Sequence, residues 1–193
     1  MNYLAHLHLA DVAALPLSGA VLGDFVRGRL DDRFPLMLEK SIRLHRRIDV
    51  VTDAHPLVAA ARVRFDDGAR RYAGILLDLI YDHCLALDWP QSQKESLNRF
   101  TKRAAAAVSD NDAWRLAIAE PAPSAWRFRQ LLLSYRFESG IERAISRVAS
   151  RMKQPQHLID AGRDWRAHVP QLRLELPLLM ADLERVAHEF VAS

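Results

Sequence analysis

The sequence predicts an all-α fold, built as one compact multi-helix domain over residues 1–193. Almost no segment alternates apolar and polar residues with a period of two, whereas apolar residues recur at helical spacing along nearly the whole chain. Half of the 193 residues are apolar and only 7 are glycine, which is a globular composition. A chain of this length can fill one core and is too short for two ordinary domains.

Ten helices are predicted, over residues 3–11, 17–28, 36–52, 56–66, 69–88, 92–108, 110–119, 123–134, 138–152 and 168–191. The first covers the apolar opening of the chain. The second, third, fourth, sixth and eighth each begin near a proline, and the seventh and ninth end shortly before one, because proline lacks the N–H that continues a helix. These prolines are Pro16, Pro35, Pro56, Pro90, Pro121, Pro123 and Pro155.

The last predicted helix carries one apolar seam with a 4-3-4-3-4 spacing, formed by Leu172, Leu176, Leu179, Leu183, Val186 and Phe190. Pro177 falls within this run and disfavours a long coiled coil with a second chain. We therefore expect the seam to pack on the rest of the domain.

Charge and cysteine content restrict the partners and the compartment. Lys and Arg number 27 against 24 Asp and Glu, a mild excess that favours an acidic partner. The single cysteine, Cys84, excludes an intrachain disulfide and fits a reducing compartment. No apolar run reaches the roughly 18 residues of a membrane span, and the opening segment lacks the pattern of a signal peptide. We expect a cytoplasmic protein without a membrane segment.

The segment Asp78-Leu79-Ile80-Tyr81-Asp82-His83 places two carboxylates and an imidazole in an apolar stretch. On a helix, Asp78 and Asp82 are four residues apart and share a face. Burying two like charges together is costly, so we expect a metal ion or a nearby arginine to compensate their negative charge. Both alternatives stay open from the spacing alone.

Further His and Asp residues lie in the same first 83 positions. His45 and Asp49 are another i, i+4 pair, so one helical face can present an imidazole and a carboxylate together. Such mixed ligands suit a first-row divalent ion or Mg²⁺, because carboxylates favour Mn²⁺ or Mg²⁺ and imidazoles favour Mn²⁺, Fe²⁺ or Zn²⁺. We predict metal ligation by Asp24, Asp78, Asp82 and His83. We predict catalytic roles for His6, His45, His83 and Asp49.

Arginines stand beside these positions, and guanidinium groups hold phosphate well. Arg27 follows Asp24 by three residues, and Arg46 and Arg47 follow His45 directly. We predict that all three bind a substrate phosphate. A solvated helix face is the alternative for at least one of the adjacent pair, because their side chains point about 100° apart. A divalent ion here would activate water and polarise a phosphoryl oxygen, which favours phosphoester hydrolysis.

The chain resembles the acyl carrier protein phosphodiesterase family, also called acyl carrier protein hydrolases, in residues 1 to about 90. The segments that carry the resemblance are 1–10 (MNYLAHLHLA), 17–19 (LSG), 24–28 (DFVRG), 45–49 (HRRID), 52–53 (TD), 77–78 (LD) and 82–83 (DH). The resemblance implies hydrolysis of the phosphodiester that links 4′-phosphopantetheine to a serine of holo-acyl carrier protein. It also implies an HD-phosphohydrolase-like helical fold and manganese as the usual ion. One departure is that the only adjacent His and Asp residues, Asp82-His83, have the reverse order of an HD motif.

Acyl carrier proteins are small and acidic, so a basic docking surface is expected. Arg143, Arg147 and Arg151 are spaced by four and line one helical face, and we predict that this stripe docks the carrier. The alternative docking segment contains Arg62, Arg64, Arg70 and Arg71. No nucleic-acid-binding motif is present. Two other functions stay open: a phosphohydrolase acting on a nucleotide or small phosphodiester, and a non-enzymatic helical adaptor.

Overall fold

The computed structural model describes residues 1–89, 95–118 and 121–192. Within these ranges it contains twelve α-helices, one 3-10 helix and no strand, which confirms the predicted all-α class. The helices are α1 (Tyr3–Val12), α2 (Leu17–Leu22), α3 (Leu36–Ala54), α4 (Pro56–Arg62), α5 (Asp67–Arg70), α6 (Ala73–Leu87), α7 (Leu97–Val108), α8 (Asn111–Ile118), α9 (Ala125–Ser134), α10 (Glu138–Ala149), α11 (Pro155–Ala161), the 3-10 helix (Trp165–His168) and α12 (Val169–Ala192).

Some element boundaries differ from the prediction. The second helix ends at Leu22 instead of residue 28, and Gly28 adopts a left-handed φ of 75° that no regular helix contains. The predicted helix 69–88 is divided into α5 and α6. Helix α11 was not predicted; Pro155 is its first residue, where the missing N–H of proline costs nothing. Pro90, the start of the predicted helix 92–108 and residue 119 lie outside the described residues.

Helices α1 and α6 form the centre of the core. Every residue of α1 from Leu4 to Ala10 is buried, including two histidines, so this helix is surrounded on all sides. Helix α6 packs against α1, α10 and α12. The core therefore encloses His6 of α1 and Asp82 and His83 of α6.

The C-terminal seam packs on this core, as predicted. Leu172, Leu176, Leu179 and Leu183 are buried, and Val186 and Phe190 are partly buried against the core. Pro177 lies inside α12, which continues through it. In the part of the chain that the structure describes, no helix combines the length and the apolar character that a bilayer crossing requires.

Candidate metal centre

His6 on α1 and His45 and Asp49 on α3 converge between the two helices. The ligand atoms of these three side chains all lie within 4.8 Å of one another, and no other trio of His, Cys, Asp or Glu in residues 1–89, 95–118 and 121–192 does so. The Asp49 carboxylate lies between the imidazoles, with Oδ1 3.0 Å from His6 Nε2 and Oδ2 3.2 Å from His45 Nε2. The i, i+4 spacing on α3 thus supplies two of the three groups.

The end of α2 fixes the orientation of His45. Its Nδ1 donates to the backbone carbonyl of Ala20 at 2.7 Å, so Nε2 is the nitrogen that faces the carboxylates. Gly23 allows this approach, because a Cβ at that position would lie 2.3 Å from the His45 ring. A metal-binding histidine usually has this arrangement, in which the second ring nitrogen donates to an oxygen.

Electrostatics inside the cluster favour a cation. Burial lowers the pKa of His45, but Asp24 and Asp49 outweigh it and raise that pKa to about 9. Burial would raise the pKa of Asp49, yet its contacts with the His45 and His6 rings hold it far below its usual range. In the metal-free protein the carboxylates therefore keep a proton on His45.

His6 is the unsatisfied member of the cluster. Burial, with help from His45 and the amino group of Met1, lowers the pKa of His6 to about 4. Its ring stacks on that of His45, with centroids 3.9 Å apart. The approach of its Nε2 to Asp49 does not meet hydrogen-bond geometry, and in the described residues neither buried ring nitrogen has a hydrogen-bond partner. Such orphaned nitrogens are costly unless a cation or water binds them. The residues present therefore fit a divalent metal ion.

Two of the predicted carboxylates lie at the edge of this cluster. Asp24, half exposed in the turn after α2, has its Oδ1 3.5 Å from His45 Nε2. Asp78 accepts from the amino group of Met1 at 2.8 Å, and the same amino group lies 3.8 Å from Asp49. Asp24 can therefore reach an ion at the cluster directly, whereas a cationic amine separates Asp78 from it.

Asp82 and His83 occupy other environments. Asp82 is fully buried, and its two oxygens accept from the backbone N–H groups of Leu4 (2.7 Å) and Ala5 (3.1 Å) at the start of α1. His83 Nδ1 contacts the Tyr135 carbonyl oxygen at 2.6 Å, and its ring meets Trp165 edge-on. The structure does not bring either residue into the group with His6, His45 and Asp49. Asp82 and His83 instead form hydrogen bonds to the backbone of other elements.

The predicted phosphate-binding arginines separate into two kinds. Arg46 donates to the carbonyl oxygens of Gly28 (2.9 Å) and Val26 (3.0 Å), so it holds the loop that follows Asp24. Arg27 and Arg47 are exposed. Sequence reasoning missed the Ala20 carbonyl and the Met1 amino group, because backbone groups leave no side-chain pattern.

The predicted docking stripe borders a surface groove of about 600 Å³ between α9 and α10. Arg143 and Arg147 line it, together with the exposed aromatic rings of Trp126 and Phe137. The two glutamates of α10, Glu138 and Glu142, both pair with Arg166 of the 3-10 helix. None of Arg143, Arg147 and Arg151 has an acidic partner among the described residues.

The alternative basic segment has its charges paired within the chain. Arg62 pairs with Asp53, Arg64 with Glu175 and Arg70 with Asp67, and Arg71 lies against His157 and the Tyr72 ring. Paired charges are less available to an acidic protein than unpaired ones.

Comparison with known proteins gives a consistent group of relatives. Residues 1–183 match the family described as "Acyl carrier protein phosphodiesterase". Proteins of that name from Escherichia coli O6:H1 (strain CFT073) and O157:H7 (strain EC4115) are 36% identical over 201 residues, covering 97% of this chain and 100% of each relative. One from Photorhabdus laumondii is 51% identical over 89 residues, covering 46% of this chain and 45% of the relative. No solved structure matches significantly.

Proposed function

This chain belongs to the acyl carrier protein phosphodiesterase family, and from that membership we propose that it hydrolyses the phosphodiester between 4′-phosphopantetheine and a serine of holo-acyl carrier protein. Water adds to phosphorus, the bond from phosphorus to the serine oxygen breaks, and that oxygen takes up a proton. The products are apo-acyl carrier protein and 4′-phosphopantetheine. The observation that carries the proposal is the trio of His6, His45 and Asp49, in which both imidazoles are buried.

We propose that Nε2 of His6, Nε2 of His45 and the carboxylates of Asp49 and Asp24 hold a divalent ion, with Mn²⁺ expected and Mg²⁺ or Fe²⁺ as alternatives. These four residues replace the ligand set expected from sequence, since Asp78 contacts an amine and Asp82 and His83 bond elsewhere. When bound, such an ion supplies Lewis acidity toward a phosphoryl oxygen and makes water a stronger acid. Binding displaces the proton from His45, so affinity for the ion should fall at low pH.

The chain's own groups orient the phosphodiester. The exposed Arg27 and Arg47 follow Asp24 and His45 closely in sequence, and they offer guanidinium donors to the non-bridging phosphoryl oxygens. Arg46 acts indirectly, because its two bonds to the loop after α2 fix the position of Asp24. The Ala20 carbonyl keeps the His45 ring in one orientation.

Holo-acyl carrier protein incubated with the purified protein and Mn²⁺ tests this function by mass spectrometry. The carrier should lose the mass of its phosphopantetheine arm, and excess chelator should prevent the loss. A short peptide bearing the same arm should react far more slowly, because it lacks the acidic surface of the carrier. Equal rates on carrier and peptide would favour the alternative of a small-phosphodiester hydrolase.

The carrier docks, in this proposal, on the α9–α10 groove. From residue 125 to residue 153 there are seven Arg or Lys against two Glu, and both Glu form ion pairs with Arg166. An acidic carrier would meet Arg143 and Arg147 there, which have no acidic partner among the described residues, with Trp126 and Phe137 as apolar anchors.

Reversing Arg143 and Arg147 to Glu should lower kcat/KM for holo-carrier by about tenfold or more at low salt, mainly through slower association. The loss should shrink as salt rises, and kcat at saturating carrier should change little. The matched control reverses Arg62 and Arg70, whose charges are already paired, and should have a smaller effect. A larger loss of kcat/KM in the control would show that the carrier docks on the segment with Arg62 and Arg70 instead.

We further propose that residues 1–193 act as one domain and that the reaction takes place in the cytoplasm. The buried Cys84 is the only cysteine, so the fold depends on no disulfide and suits a reducing compartment.

A further inference from the structure

A second cavity, distinct from the α9–α10 groove, lies between the start of α1, the end of α2 and helices α8 to α10. Its volume is about 250 Å³. Two aromatic pairs meet edge-on in its walls: Tyr3 with Phe128, at a centroid distance of 5.7 Å, and Phe25 with Trp114, at 5.2 Å. We call this cavity the aromatic cleft.

The aromatic cleft lies next to the candidate metal centre. Tyr3 precedes His6 by three residues on α1, so their side chains are neighbours on that helix. Phe25 directly follows Asp24. Burial raises the pKa of Tyr3, Asp24 raises it further, and Arg151 and Arg147 at the cleft rim lower it. The phenol ring therefore lies within electrostatic range of both the centre and the basic stripe.

The volume and lining of the cleft suit a small, flexible chain with a few amide groups. The walls are mainly apolar, and the polar residues that line the cleft include Asn2, Tyr3, Arg147 and Arg151. This combination is typical of small-molecule sites, where a few polar groups fix orientation. Phe25 is 40% exposed although it is aromatic, so a ligand can still cover part of it.

We propose that the aromatic cleft binds the pantetheine arm of the substrate while the phosphodiester lies at the His6–His45–Asp49 cluster. This inference rests on the proposed function and specifies how the substrate is recognised. The apolar segments of the arm contact the two aromatic pairs, and its amides meet the polar groups of the lining. The cleft and the α9–α10 groove share five lining residues, so a carrier on the groove would adjoin the cleft: Pro123, Phe128, Leu131, Ala144 and Arg147.

A substitution that fills the cleft tests the proposal. Val148 lines the cleft from α10 and is only partly buried, so Val148→Trp should narrow the cavity without disrupting the core. Ser146→Trp is the matched control, because Ser146 is exposed on the same helix and is not part of the cleft lining. The probes are 4′-phosphopantetheine and inorganic phosphate, each used as an inhibitor of holo-carrier hydrolysis.

We expect Val148→Trp to raise the inhibition constant of 4′-phosphopantetheine by about tenfold or more, and to leave that of inorganic phosphate within about twofold. Ser146→Trp should change neither constant. Phe25→Ala provides an independent variant that does not depend on the tolerance of Val148, since Phe25 is half exposed. It should raise the same inhibition constant, because the arm loses an aromatic contact.

Failure of this inference is distinguishable from failure of the proposed function. If the wild-type protein releases the arm but both variants keep the wild-type inhibition constant for 4′-phosphopantetheine, the cleft does not bind the arm and the hydrolase proposal stands. If the wild-type protein does not release the arm from holo-carrier, both proposals fall.

Discussion

Replacing Asp49 by alanine is expected to lower kcat/KM for holo-acyl carrier protein by about a thousandfold. Asp49 lies between the two imidazoles and contacts both, so its loss removes a proposed ligand and the group that keeps His45 and His6 together. Loss of a residue that merely orients a metal ligand already costs about 10–100-fold. Loss of the ligand itself should cost more. Steady-state kinetics at saturating Mn²⁺ measure the effect.

Asp53→Ala is the matched control for this prediction. Asp53 lies four residues after Asp49 on the same helix, is largely exposed and pairs with Arg62. An exposed pair of this kind contributes little to the fold, so activity should stay within about twofold of wild type. A near-normal rate for Asp49→Ala would show that the catalytic centre lies elsewhere.

Replacing Asp82 by alanine is expected to destabilise the fold by about 2–4 kcal/mol. The substitution removes the acceptor for two buried N–H groups at the start of α1. Loss of a helix cap costs about 0.5–2 kcal/mol, and a buried donor left without a partner costs about 1–3 kcal/mol. Denaturant unfolding measures the change. Asp88→Ala, which breaks an exposed pair with Arg173 just after the same helix, should cost less than about 1 kcal/mol.

The pH dependence of stability provides a second readout for Asp82. Burial raises the pKa of this carboxyl to about 7, although the two backbone N–H groups lower it in part. Because the folded-state pKa is above the unfolded value, its contribution to stability is full at pH 4 or below and is lost as the pH rises through about 7. The metal-free wild type should therefore lose stability relative to Asp82→Asn between about pH 4 and pH 7, with little further change above that. An equal response of both proteins would contradict this role.

Much of the candidate site could be predicted from spacing within one helix. The pairing of His45 with Asp49 follows from their four-residue spacing, and the structure places both side chains in one cluster with His6. The same rule correctly puts Asp78 and Asp82 on one face of α6. It could not show that backbone N–H groups at the start of α1, more than seventy residues away in sequence, would donate to Asp82, or that the Met1 amino group would donate to Asp78.

The predicted helix boundaries failed where loop geometry decides the structure. Apolar periodicity suggested a helix to residue 28, but the chain leaves the helix after Leu22. This early end puts Asp24 in a turn beside His45, and Arg46 then holds the following loop. A longer α2 would carry Asp24 on a helical face instead. Local periodicity does not record such contacts between separate elements.

The metal content of the purified protein tests the central claim most directly. After loading with Mn²⁺ and removal of free ion, elemental analysis should find about one or more ions per wild-type chain and per Asp53→Ala chain. Asp49→Ala and His45→Ala should retain only a small fraction of that amount. Equal metal content in wild type and Asp49→Ala, or full turnover of holo-carrier by a wild-type protein that holds no metal, would contradict a metal centre at His6, His45 and Asp49.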